Sequence, residues 1–179
     1  MKKENNANTY SPSDVVGMLI GPEAGLTVYI LISTYLLYFY TDVVGLNVAI
    51  CSTLILVSKI FDGFSDVIFG FILDRTKSRL GACRSWTLRI CIPYAIMTVL
   101  LFTVPGNTGI APYVYVFLTY NIMVSVCYTV GDISENTLPT YITRNAKGRA
   151  LLYTCKGLSA GLTAYIVSNF TMVWVGMLG

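Results

Sequence analysis

Histidine is absent from the 179 residues. That removes imidazole metal sites, Ser-His-Asp or Cys-His nucleophiles and imidazole proton relays. Charge is scarce as well: only 12% of residues are Asp, Glu, Lys or Arg, against about 25% in soluble domains, and a water-facing surface cannot be built from that. The 12 basic residues exceed the 9 acidic ones by a dispersed +3, too little for a phosphate-tracking surface, so nucleic acid is excluded as a partner. Five cysteines (Cys51, Cys83, Cys91, Cys127 and Cys155) form no CxxC and no close pair, which excludes a zinc knuckle or disulfide framework and leaves them as apolar filler. The polar opening MKKENNANTYSPS lacks the apolar core and cleavage site of a secretory signal. What remains is oil: 55% of residues are hydrophobic and the mean hydropathy is +0.66.

That apolar content is concentrated in five stretches, at 15–40, 46–71, 86–104, 113–137 and 150–177, each near or above the roughly 20 helical residues that cross about 30 Å of hydrocarbon. The expected organisation is a tail over 1–14 followed by a transmembrane bundle over 15–179, an all-α membrane protein with five transmembrane helices. Short linkers with Gly, Pro and polar residues separate the spans. Lys2 and Lys3 precede the first span, Arg75, Lys77, Arg79 and Arg84 follow the second, and Arg144, Lys147 and Arg149 follow the fourth, while the opposite loops hold no basic residue. The positive-inside rule then puts the N-terminus in the cytoplasm and the chain in the plasma membrane as a multi-pass protein.

A carboxylate at mid-membrane costs about 2.5 to 3.5 kcal/mol to insert, so one found there is a functional candidate. Lys59, Asp62 and Asp66 recur at i, i+3 and i+7 in span two, which stacks them on one helical face with Ser58 and Ser65 nearby. In span four, Asn121, Ser125, Tyr128, Asp132 and Glu135 recur at steps of 4, 3, 4 and 3, a polar stripe on an otherwise apolar helix. Two such stripes can build a pocket of hard oxygen ligands, suited to Na⁺ or a proton rather than a soft metal. Internal ion pairs, Lys59 with Asp62 and Asp132 with Lys156, are the bland alternative. One nearby lysine cannot neutralise Asp62, Asp66, Asp132 and Glu135, so protons or a cation must make up the difference.

Gly21-Pro22-Glu23 interrupts span one. Such a break either marks a binding cavity, with Glu23 in it, or is a kink with Glu23 reaching toward water. The tyrosines Tyr29, Tyr35, Tyr38 and Tyr40 could stack on a sugar ring or form an interfacial belt. Gly157 and Gly161 fit close helix packing.

Three strings then become specific: Tyr38-Phe39-Tyr40-Thr41-Asp42-Val43-Val44-Gly45-Leu46, Lys59-Ile60-Phe61-Asp62-Gly63-Phe64-Ser65-Asp66, and Asp74-Arg75-Thr76-Lys77-Ser78-Arg79-Leu80-Gly81. With Tyr128-Thr129-Val130-Gly131-Asp132-Ile133, their order and spacing resemble the glycoside-pentoside-hexuronide:cation symporters of the major facilitator superfamily, a family that includes the melibiose permease. The resemblance covers nearly the whole chain. It implies sugar uptake coupled to Na⁺, Li⁺ or H⁺, no further cofactor, and the incomplete N-terminal six-helix half of a two-half transporter. It assigns Asp62, Asp66, Ser65 and Thr129 to the cation, with Na⁺ possible at the two aspartates, and Asp132 and Tyr128 to the sugar. Lys59 and Lys156 stand where the melibiose permease has arginines. Lys156 and Glu23 join the expected substrate site, and Lys59, Asp74, Arg75 and Arg79 are expected to set structure or gating. Asn136 replaces a sugar-stacking tryptophan of that permease, which leaves the sugar open.

An enzyme is not expected, because no nucleophile elbow, phosphate loop or metal-ligand set accompanies the carboxylates. The expected function is the N-terminal part of a cation-coupled sugar symporter, a truncated or partial chain that does not transport alone. Its expected partners are a sugar or glycoside, the lipid bilayer and a missing C-terminal half. The alternatives are a degenerate, non-transporting membrane subunit and a family member that carries a non-sugar substrate.

Overall fold

In the computed structural model the described residues are 11–21, 23–76, 82–106 and 109–178. Arg79, Pro22 and most of the N-terminal tail lie outside them. Helices make up nearly all of the described chain: α1 (Pro12–Ile20), α2 (Glu23–Tyr38), a π turn (Phe39–Val43), α3 (Val48–Arg75), α4 (Ala82–Leu101), α5 (Ala111–Asn121), a π segment (Ile122–Tyr128), α6 (Thr129–Ile142) and α7 (Ala146–Leu178). Among the described residues four passages are long and apolar enough to cross a bilayer: Pro12–Val43, Val48–Arg75, Ala111–Ile142 and Ala146–Met177. The remaining expected span, 86–104, falls on α4, whose 20 residues carry Arg84 and Arg89 in their first half and Pro93 within. It is not among those four passages.

The chain divides into two units, one of residues 1–31 with 135–179 and the other of residues 32–134. In the first, α1 packs along α7, and Met18 and Leu152 are buried there. Helix α1 opens with the Ser11 N–H donating to Asp14 Oδ2 at 2.9 Å. It ends at Gly21, whose N–H reaches the Gly17 carbonyl at 2.8 Å. A Cβ there would stand 2.7 Å from that carbonyl oxygen, so only glycine fits this close approach.

In the second unit α3 packs on α5 and the π segment, and α4 packs on both as well. The Asn47 side chain caps α3, accepting from Ala49 N at 2.9 Å and Ile50 N at 3.4 Å. Fully buried Tyr40 donates to the Leu101 carbonyl at 3.1 Å, and Phe39 meets Phe102 edge-on at 5.4 Å. Trp86 Nε1 donates to Thr76 Oγ1 at 2.9 Å, joining the end of α3 to the start of α4. Cys51, Cys83 and Cys127 are buried and unbridged, as apolar filler would be.

Leu56, Phe64, Ile92, Leu158, Leu162 and Tyr165 each leave more than three-fifths of their surface uncovered. Large side chains displayed in this way along α3, α4 and α7 are the pattern of a bilayer-embedded chain.

Candidate functional site

The second unit brings three of the four residues expected at the cation together. Asp62 and Asp66 are one turn apart on α3, and buried Thr129, the first residue of α6, faces both. Its Oγ1 lies 3.3 Å from Asp62 Oδ1 and 3.2 Å from Asp66 Oδ1. The same hydroxyl is 3.2 Å from the Val124 carbonyl. One hydroxyl proton serves one acceptor at a time, so at least one of the two aspartate oxygens is left to another donor or to a cation. Ser65 is half-buried beside Asp66 on α3. Among the described residues no three Asp, Glu or Cys side chains gather into a metal-ligand group. The cluster therefore offers two carboxylates supplemented by neutral oxygens, a hard donor set of low charge.

The π segment sets this register. Thr129 N–H bonds back to Val124, five residues earlier, and each wide turn holds more than four residues. Steps of four then stay on one face. Asn121, Ser125 and Thr129 form the seam against α3: Asn121 Nδ2 donates to Ser58 Oγ at 2.8 Å, one turn before Asp62, and Thr129 meets the aspartates. The sequence stripe ran instead through Tyr128, as a uniform α-helix dictates. Tyr128 and Asp132 are half-buried and engaged in interactions of their own.

In the first unit, Glu23 opens α2 and its carboxylate accepts hydrogen bonds from Ser159 and Thr163 of α7. This places Glu23 against a neighbouring helix. Lys156 Nζ donates to Asn136 Oδ1 at 2.7 Å, and Tyr153 donates to the Asn136 carbonyl at 2.7 Å. Sequence reasoning missed Ser159 and Thr163, although a pair of hydroxyls at i, i+4 on an apolar helix was a signal for a polar partner. It also missed the bond between Ser58 and Asn121. Lys59, Asp74 and Arg75 are exposed on α3. Lys59 has an interaction partner of its own.

Comparison with known proteins adds an independent line. Residues 17–179 match the family model described as MFS/sugar transport protein. The symporter YnaJ of Bacillus subtilis is 34% identical over 165 residues, covering 92% of this chain and 35% of that protein. The isoprimeverose transporter of Lactiplantibacillus pentosus is 37% identical over 149 residues, 83% of this chain and 31% of the relative. The putative glycoside/cation symporter YagG of Escherichia coli is 32% identical over 166 residues, 93% and 36% of the two chains. The chain thus spans about a third of the length of these relatives.

Proposed function

Since the chain belongs to the MFS/sugar transport protein family, we propose that it carries the cation-coupling part of a sugar symporter and acts with the remaining spans of a longer transporter. The observation that carries this reading is the convergence of Asp62, Asp66 and Thr129. Two carboxylates brought to one buried hydroxyl, Asp62 half-buried and Asp66 exposed at the surface of α3, repel each other until a cation or proton offsets the charge. A small hard cation such as Na⁺ or Li⁺, or H⁺, binds there and orders the face of α6 that presents Asp132 to a sugar hydroxyl. Each ligand then raises the affinity of the other. The N-terminus lies in the cytoplasm, in keeping with the basic residues on alternate sides.

Relatives named as glycoside/cation symporter and isoprimeverose transporter support sugar as the cargo class. Asp62→Cys and Asp66→Cys, made singly in the complete transporter, are expected to abolish cation-dependent uptake. Sugar affinity that is the same at every Na⁺ concentration and pH overturns the coupling.

A further inference from the structure

Among the described residues of the second unit, three buried side-chain oxygens have no hydrogen-bond partner, Ser134 Oγ and two that sit on the α3 seam: Asn121 Oδ1 and Ser125 Oγ. The orientation of the Asn121 amide is forced. Its nitrogen lies 2.8 Å from Ser58 Oγ and 2.7 Å from the Phe117 carbonyl. Ser58 already gives its proton to the Leu54 carbonyl at 2.8 Å, and a carbonyl can only accept, so both neighbours need a donor and the amide nitrogen must face them. Asn121 Oδ1 is then left with two lone pairs and nothing to receive.

Ser125 is 4% exposed. Other hydroxyls on these helices, Ser58, Thr53, Thr98 and Thr119 among them, donate to the carbonyl four residues back, whereas that of Ser125 does not. Its place follows from its neighbours in the seam. Asn121 and Thr129, four residues before and after it, both touch α3, at Ser58 and at the aspartates. Ser125 therefore faces α3 between Ser58 and Asp62.

We propose that Asn121 Oδ1 and Ser125 Oγ, with Ser58 beside them, hold a single small electron-pair acceptor: a water molecule, or an alkali cation that keeps part of its water shell. An anion or any acceptor-only group is excluded, because Asn121 Oδ1 offers only lone pairs. A water satisfies the site by donating to Oδ1 and bonding the Ser125 hydroxyl. An alkali cation uses the two oxygens as part of a shell that its own waters complete. The site lies one turn from the aspartate pair toward the start of α3, and it stands whether or not those aspartates bind a coupling ion.

The test uses thermal unfolding in detergent of the protein expressed from its own reading frame, in NaCl and in choline chloride, for the native sequence, Ser125→Ala, Ser125→Cys and the Asp62→Asn/Asp66→Asn background. Removing a hydroxyl that holds a ligand lowers the midpoint by about 2–4 °C, and the volume-matched, weakly bonding cysteine lowers it too. An equal loss in both salts identifies water. A loss seen only in NaCl that persists without the two aspartates identifies the cation. An unchanged or raised midpoint in Ser125→Ala, as an empty site gives on losing an unsatisfied hydroxyl, overturns the proposal. So does full recovery in Ser125→Cys, or a Na⁺-dependent loss that vanishes with the aspartates.

Discussion

At the scale of single residues, Thr129 has the largest consequences. Its hydroxyl is the neutral oxygen shared by two carboxylates, and a hydrogen bond to a charged group is worth about 1.5–3 kcal/mol. Thr129→Val keeps the shape and removes the oxygen. The expected outcome in the complete transporter is at least about a tenfold rise in the Na⁺ concentration giving half-maximal uptake, since about 1.4 kcal/mol is a factor of ten. Thr129→Ser restores most of it. Sodium titration of uptake checks both, and an unchanged half-saturation in the valine variant removes Thr129 from the site. Glu23 shows the same physics in the other unit: a carboxylate within an apolar passage is held by two hydroxyls one turn apart on α7.

At the scale of elements, two local devices shape the passages. The first is the end of α1. Alanine is normally the better helix former, and Gly17→Ala meets nothing within 4 Å, so it is expected to leave the melting midpoint unchanged or raise it. Gly21→Ala sets a methyl 2.7 Å from the Gly17 carbonyl oxygen. Overpacking of that kind costs about 1–3 kcal/mol, a fall of about 2–4 °C for each kcal/mol in a chain of this size. Circular-dichroism melts in detergent should show the midpoint falling for Gly21→Ala and not for Gly17→Ala. The second device is the π segment, which keeps Asn121, Ser125 and Thr129 on one face by widening the turn. A hydrophobic or polar period counted at 100° per residue cannot follow such a turn.

At the scale of the whole molecule, the display of large apolar side chains along α3, α4 and α7 and the family to which the chain belongs make it a multi-pass membrane protein. Its orientation is open to a direct test. In a background with the five cysteines replaced, Pro105→Cys, in the loop after α4, is expected to react with a membrane-impermeant maleimide in intact cells. Ala146→Cys, at the start of α7, should react only after the membrane is opened. Both positions are exposed, so labelling reports the side of the membrane rather than burial. The reverse pattern overturns the cytoplasmic N-terminus.

The sequence by itself determined the solvent, the helical class and the candidate carboxylates. Those properties follow from composition and from a periodicity that survives in any straight helix: Asp62 and Asp66 share a face of α3 at i, i+4 whatever packs against it. The family was legible in short strings such as Lys59-Ile60-Phe61-Asp62-Gly63-Phe64-Ser65-Asp66. Only the tertiary structure decided most of the other polar partnerships. The family strings had already set Thr129 with the two aspartates, and the tertiary structure supplied the wide turn that carries it there; it also gave Glu23 to Ser159 and Thr163 and left Asn121 Oδ1 and Ser125 Oγ without partners. Partnerships of that kind join residues as far as 140 positions apart, and a local pattern carries no record of what a distant segment will bring to its face.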